Sequence, residues 1–327
     1  MTGLAAPVGY GGEVRLGTVK VPDERIDALS RIFKPKKTTF AEIIFCDIPG
    51  EHGAEQKGLS RKAIEQIRVQ DVLCLVLRDF DNPAIESAPN PTADLEAFHA
   101  ECVLADLEIV ERRLDRIKKE KADPLEVAAF TIMKTALEQG HPLRSLSGDV
   151  LSREYLKGYS VLTDRPLMIA LNRDEARAAE PLPPPMADRL KAIAAAGLVL
   201  SASVEAEIAA MEPADQAAFL ADLGLKEPAL ARFIRTAYGL LDLISFFTVG
   251  EDEVRAWPIR RGMHARAAAG KIHTDLERGF IRAEVTAYAD FIKYGSEHAA
   301  RDAGHQKLEG KDYVVVDGDI MNIRFNV

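Results

Sequence analysis

The pattern of apolar and polar positions changes character along the chain. Residues 1–18 are glycine-rich and carry no period, and a weak alternation over 13–21 ends at Pro22-Asp23. Asp23 is a favoured N-cap. Ile26, Leu29, Ile32 and Phe33 then fall at helical spacing, which predicts a helix over 25–33 that Lys34-Pro35 ends. Residues 38–47 (TTFAEIIFCD) read as a strand whose apolar stretch 43–46 suits a buried parallel sheet. A helix over 60–69 and a second buried strand over 71–78 (DVLCLVLR) follow.

From 93 to 121 the apolar residues Ala100, Val103, Leu107, Val110, Leu114 and Ile117 alternate steps of three and four, a heptad seam. Asp123 followed by Pro124 is an N-cap with proline at the first helical position, so a second helix starts there and runs to about Gly140. Ala129, Ile132, Met133, Ala136 and Leu137 would face inward. Two helices joined by a short turn make an antiparallel coiled-coil hairpin. Apolar strands return at 166–172 (PLMIALN) and 198–201 (LVLS), the latter opening into a helix. The hairpin therefore reads as an insertion into one α/β domain with a parallel sheet. Beyond 243, short strands at 244–248, 253–259 and 279–286 surround a helix near 263–272. A terminal hairpin is expected over 313–316 and 320–326, turning at Asp317-Gly318.

Composition narrows the classes. Of the 327 residues, 47 % are hydrophobic and 28 % charged, which excludes a disordered chain and allows a sizeable core. No apolar run reaches the roughly 18 residues of a membrane-spanning helix, and the N-terminal residues lack the basic and apolar regions of a secretory signal. With only three cysteines, a reducing, cytoplasmic location without membrane attachment is expected. Cys46, Cys74 and Cys102 stand in apolar settings and read as small buried hydrophobes, and no zinc-ligand spacing occurs. The formal charge, 42 − 51 = −9, excludes a uniformly basic surface. It leaves room for local basic patches. At the hairpin tip Arg112, Arg113, Arg116, Lys118, Lys119 and Lys121 read either as a solvated face or as a handle for RNA phosphates.

Three polar loops follow apolar strands, at the strand ends where α/β sheets bind ligands. Asp47-x-x-Gly50 is the first; a carboxylate there can hold Mg²⁺, and a glycine amide can meet a phosphate. Asn172-Arg173-Asp174-Glu175 is the second, where a side-chain amide and a carboxylate can read a purine edge. Ser201-Ala202 is the third, a loop able to back the base. On these residues the chain resembles the Obg-like ATPase (YchF) family from Gly17 onward. DIPG is similar to the family's DxxG loop, NRDE to its NxxE base-reading motif, and SASVEAEI to its last base-contacting loop. The runs FFTVGEDEVRAWPIRRGMHARAAAGKIH and LEGKDYVVVDGDIMNIRFNV resemble the family's TGS domain, a β-grasp fold.

The resemblance implies a P-loop-NTPase-like α/β sheet over 1–92 and 151–243, an inserted hairpin over 93–150, and a TGS domain over 244–327. It implies ATP or ADP with Mg²⁺ as cofactor, Asp47 as metal ligand, and Asp47, Gly50, Asn172, Glu175, Ser201 and Ala202 as nucleotide contacts. The departures matter as much. No GxxxxGK[ST] motif occurs, so the amides, lysine and hydroxyl that cradle phosphates are missing, and with them the sheet's first strand. Glu51 follows the DxxG glycine where the family is usually apolar, and Leu75 stands where it usually has histidine. These losses lead to the expectation of a degenerate member, with weak or no nucleotide binding and no catalytic residue. It would act as a module on the ribosome or RNA through Arg112, Arg113, Arg116, Lys118 and Lys119 of the hairpin and Arg255, Arg260, Arg261 and Arg266 near the C-terminus. The open sheet would be covered by residues 1–16 or by a protein partner. The alternatives are an ATP-hydrolysing protein whose phosphate loop is missing from this chain, and a dimer joined through the open sheet.

Overall fold

Periodic apolar stripes decide where the helices lie, and free strand edges decide where the strands go. The computed structural model describes residues 14–48, 59–120 and 123–326. In chain order these form β1 (Arg15–Lys20), α1 (Glu24–Phe33), β2 (Lys37–Thr39), β3 (Glu42–Asp47), α2 (Arg61–Arg68), β4 (Leu73–Asp79), α3 (Pro91–Ile117) and α4 (Pro124–Glu138). After α4 come β5 (Leu167–Arg173), α5 (Pro184–Ala192), β6 (Ala195–Leu200), α6 (Ala202–Ala210), α7 (Pro213–Asp222) and α8 (Ala229–Leu240). The last part contains β7 (Leu243–Thr248), β8 (Glu253–Arg260), α9 (Ala265–Ile272), α10 (Thr274–Arg278), β9 (Phe280–Ala287), α11 (Tyr288–Tyr294), α12 (Glu297–Asp302), β10 (Gln306–Glu309) and β11 (Asp319–Phe325). Contacts divide the chain into two compact units. One holds Phe45–Leu240 and the described residues up to Gly17; the other holds Thr18–Ile44 and the chain from Leu241 onward.

The first unit is built on the parallel sheet β4-β5-β6, with Leu73 opposite Leu167 and Leu77 opposite Leu171. Leu73, Leu77, Leu167, Ile169, Leu171 and Val199 pack with Leu95 and Cys102 of α3 and with Met186 and Leu190 of α5. α8 packs on β5 and β6. The expected hairpin is present. Val103, Val110 and Ile117 of α3 meet Phe130, Met133 and Leu137 of α4 in a second core. Asp123 caps α4 by accepting from the Leu125 amide at 3.0 Å, with Pro124 at the first helical position.

A buried carboxylate fixes the root of this hairpin. Asp106, in the middle of α3, has no exposed surface. Its Oδ1 accepts from the Leu162 amide at 2.9 Å and its Oδ2 from the Thr163 amide at 2.7 Å. Arg68, at the end of α2, lies 3.9 Å from it and donates to the Ala105 carbonyl at 3.1 Å. Burial pushes the Asp106 carboxyl up, and the two amides oppose that push.

The second unit is a six-stranded sheet in the order β10-β9-β11-β7-β8-β2. β11 runs parallel to β7, β2 runs parallel to β8, and the other pairs are antiparallel. Ile244, Phe246, Ile259, Ala265, Ala268, Val285 and Met321 form its core, and α1 packs on β8. Arg25 fastens α1: it donates to Asp23 and to Asp317 (2.9 Å each) and lies 5.1 Å over the Phe247 ring.

Four expectations are corrected. Residues 38–47 do not form one buried parallel strand. The chain breaks at Phe40-Ala41; β2 joins the free edge of β8, and β3 pairs with β1 in a separate two-stranded sheet, where Ile44 is 66 % exposed. Residues 18–44 accordingly group with 241–327 and not with the α/β part expected over 1–92. Residues 313–316 make no hairpin strand, because both edges of β11 are taken by β7 and β9. The turn itself exists, with Gly318 at φ +91°. Of the three cysteines only Cys102 is buried; Cys46 is half-buried and Cys74 exposed.

Replacing Asp106 by alanine leaves two buried amides without acceptors, at about 1–3 kcal/mol each. The expected loss in urea unfolding is about 2–4 kcal/mol, and Asp106→Asn, which keeps one acceptor, should lose about half of it. In the second unit, Thr39 Oγ1 donates to Glu253 at 2.6 Å and holds that carboxyl below its usual value. This contribution to stability is present above the ordinary carboxylate range and is lost as pH falls through the lowered folded value. Thr39→Val should flatten that acid-side slope in denaturation measured from about pH 6 to about pH 3.

Candidate functional site

The loops at the ends of β5 and β6 are tied together by one side chain. Asn172 is half-buried near the end of β5, and its Oδ1 accepts from the Ala202 amide at 2.9 Å, at the first residue of α6. This leaves the Asn172 Nδ2 as a donor. Ser201, 2 % exposed, turns inward and shares a 2.9 Å hydrogen bond with Ser203. Ala202 is exposed. Glu205, one turn into α6, is buried and accepts from the amides of Ala229 (2.7 Å) and Leu230 (3.2 Å), which fixes α8 beside the loop.

Glu175 opens a short 3₁₀ turn over Glu175–Arg177 and is exposed. Asp174 caps that turn: it accepts from the Arg177 amide at 3.1 Å and from Arg177 Nε at 2.9 Å. Hydrogen bonding from Arg177 holds the Asp174 carboxyl below its usual range. Arg173, in the middle of the motif, is 5 % exposed and points into the protein.

Asp47 ends β3 and is exposed; β3 is not hydrogen-bonded into the β4-β5-β6 sheet. Gly50, Glu51 and Lys121 lie outside the described residues. So the structure joins Asn172 to Ala202 and sets Glu175 in the adjoining turn, but gives Asp47 no direct link to them. Among the described residues no group of three or more His, Cys, Asp or Glu could hold a metal ion. Asp47 offers one carboxylate, which fits Mg²⁺ only where phosphate oxygens supply further ligands.

The basic candidates divide into engaged and available. Arg113 is paired with Glu126 (2.7 Å) and Glu120 (3.1 Å), and Lys118 with Asp115 (3.1 Å). Arg112 is exposed, with its Nε on the Glu108 carbonyl, and Arg116 and Lys119 are exposed near the end of α3. Arg255 stacks 4.0 Å over the Trp257 ring, while exposed Arg261 pairs with Asp242 and Arg260 and Arg266 are exposed. An open cleft of about 480 Å³ runs along β6, lined by Gly197, Leu198 and Val199 with Glu180, Glu227, Arg232 and Arg235. Its charges are already paired: Glu180 with Arg173, Glu227 with Arg235, and Arg232 on the Val199 carbonyl. None of the candidate site residues lines it. Sequence reading missed α7, α8 and the Glu205 cap; a glutamate four residues after Ser201 at the start of a helix was the available signal.

A parallel α/β sheet with joined strand-end loops, interrupted by a long helical hairpin and followed by a mixed six-stranded sheet, defines a mixed α/β protein with two units. The YchF-GTPase_C family model, described as "Protein of unknown function (DUF933)", matches residues 243–326. The chain is 40 % identical to the "Ribosome-binding ATPase YchF" of Pasteurella multocida, over 96 % of this chain and 90 % of that protein. It is 37 % identical to the Bacillus subtilis protein of the same name, over 95 % and 89 %. The solved Schizosaccharomyces pombe YchF GTPase superposes with a TM-score of 0.85 at 30 % identity, covering 94 % of this chain and 87 % of that one. The chain belongs to the YchF family.

Asn172→Ala removes the acceptor of the Ala202 amide. It should cost about 1 kcal/mol in denaturant unfolding and speed amide exchange at the start of α6, while leaving exchange in α4 unchanged.

Proposed function

We propose that this protein is a ribosome- or RNA-associated binding module of the cytoplasm that retains a base-reading site for adenine nucleotides and holds their phosphates weakly. The observation that carries the reading is the Asn172–Ala202 hydrogen bond, which ties together the loops at the ends of β5 and β6. Asn172 Nδ2 would donate to the purine ring, the exposed Glu175 would accept from the base, and Ser201-Ala202 would back it. Asp47, with Mg²⁺ bridged by phosphate, and Gly50 would complete the contacts. The chain has no GxxxxGK[ST] motif, so several charge-assisted bonds worth roughly 1.5–3 kcal/mol each are lost and affinity falls by orders of magnitude.

The ribosome or RNA contact would come from Arg112, Arg116, Lys118 and Lys119 at the end of α3 and from Arg255, Arg260 and Arg261 of the second unit, read here as a TGS-like β-grasp domain. The exposure of Arg116 and Lys119 near the hairpin tip supports this, as do the names of the relatives. Arg113, held by two carboxylates, serves the hairpin itself.

Isothermal titration should give dissociation constants for ATP and ADP no tighter than about 1 mM, the weak end of the scale; micromolar ATP binding or ATP turnover above background overturns the binding-module reading in favour of an ATPase. Co-sedimentation with ribosomes should occur at low salt and fade at high salt. Arg116→Glu combined with Lys119→Glu should weaken it at least about five-fold, and failure to pellet at low salt refutes the ribosome contact.

A further inference from the structure

The carboxylate that ends β4 lies against the base-reading motif and grips it from below. In the β4/β5 register Asp79 stands opposite Arg173. Asp79 Oδ2 accepts from Arg173 Nε at 2.8 Å and from Arg177 Nη1 at 3.4 Å, and the Asp79 carbonyl accepts from Arg177 Nη2. Arg173 continues to Glu180 Oε2 and to the Pro181 carbonyl, 3.2 Å each. Arg177 continues to Asp174, the cap of the same turn. One carboxylate thus fixes both arginines that flank Asp174 and Glu175. Arg173 is 5 % exposed, and a guanidinium buried to that degree persists only when paired, so the contact is not an optional surface bridge.

This has a chemical consequence for the base. A carboxylate only accepts hydrogen bonds. Adenine offers donors at its 6-amino group; guanine offers them at its ring N–H and 2-amino group. Glu175 can therefore satisfy either base, and which one it prefers depends on where its carboxylate is held. We propose that Asp79 is a positioning residue for purine selectivity: through Arg173 and Arg177 it sets the Glu175 turn at the place that reads the adenine amino edge. The proposal rests on the base-site reading given above.

Two variants test it in the full chain. Asp79→Asn keeps an acceptor but loses the charge, and Arg177→Ala cuts the more exposed arm while leaving buried Arg173 paired. Ligand-observed NMR titration with ATP and with GTP gives the ratio of the two dissociation constants. In both variants the preference for ATP should fall at least about five-fold, with a melting temperature within a few degrees of the parent. Asp106→Asn, which weakens the fold far from the motif, should leave the ratio unchanged. Amide exchange of the nucleotide-free chain supplies a second readout. Peptides spanning 174–182 should exchange at least about ten-fold faster in both variants, and hairpin peptides should not change. An unaltered ATP:GTP ratio, or unaltered exchange over 174–182, overturns the proposal. If the parent protein binds neither nucleotide, the base-site reading fails and the selectivity role falls with it; the exchange result then separately decides whether Asp79 holds the turn.

Discussion

A carboxylate with no contact to solvent organises the α/β unit. Asp106 sits in the middle of a long amphipathic helix, where burying a charge is tolerated only because two backbone amides meet it. Those amides belong to Leu162 and Thr163, a few residues before β5 begins. The hairpin is thus hydrogen-bonded to the entrance of the central strand. Arg68 brings the end of α2 to the same point, and Arg144 reaches it from beyond α4 by donating to the Thr163 carbonyl. Three segments distant in sequence meet around one polar centre.

Attachment to the hairpin and placement of the polar loop are separated along this strand. Its start is held by Asp106, its middle is buried leucine, isoleucine and alanine, and its end carries the polar loop. A rigid apolar middle transmits position well, because packed interiors leave little free volume. The loop then receives its own fixings: Asn172 to Ala202 on one side, and Arg173 with Arg177 to Asp79 on the other. The loop after β5 is therefore held from the sides of both neighbouring strands, while Asp47 at the end of β3 is exposed.

What the sequence revealed depended on whether the deciding interaction was local. The seam Val103–Val110–Ile117, the Asp123-Pro124 start and the buried strand before NRDE are short-range patterns, and each appears where expected. The division of 38–47 was not legible. Polar Thr38 and Thr39 join the sheet because β8 has a free edge, and β8 lies some two hundred residues away. Arg173 falls at an unspecified position of the NxxE pattern. Its role becomes visible when Asp79 is placed opposite it, a matter of strand register that no single segment encodes. The pairing of Arg113, whose place in the basic run suggests a solvated face or a phosphate handle, is hidden for the same reason: Glu126 belongs to the returning helix.

The interleaving of 18–44 with 241–327 also has a consequence for synthesis. α1 and β2 leave the ribosome early, yet the strand that receives them, Glu253–Arg260, is made roughly 200 residues later. At about 5–20 residues per second this is a delay on the order of 10–40 s. Throughout it α1, whose Ile26 and Leu29 end with no exposed surface, lacks β8, the strand on which it packs. The α/β unit, nearly all of it encoded in the interval, can fold first. α1 therefore meets its sheet only after the whole of Phe45–Leu240 has been made.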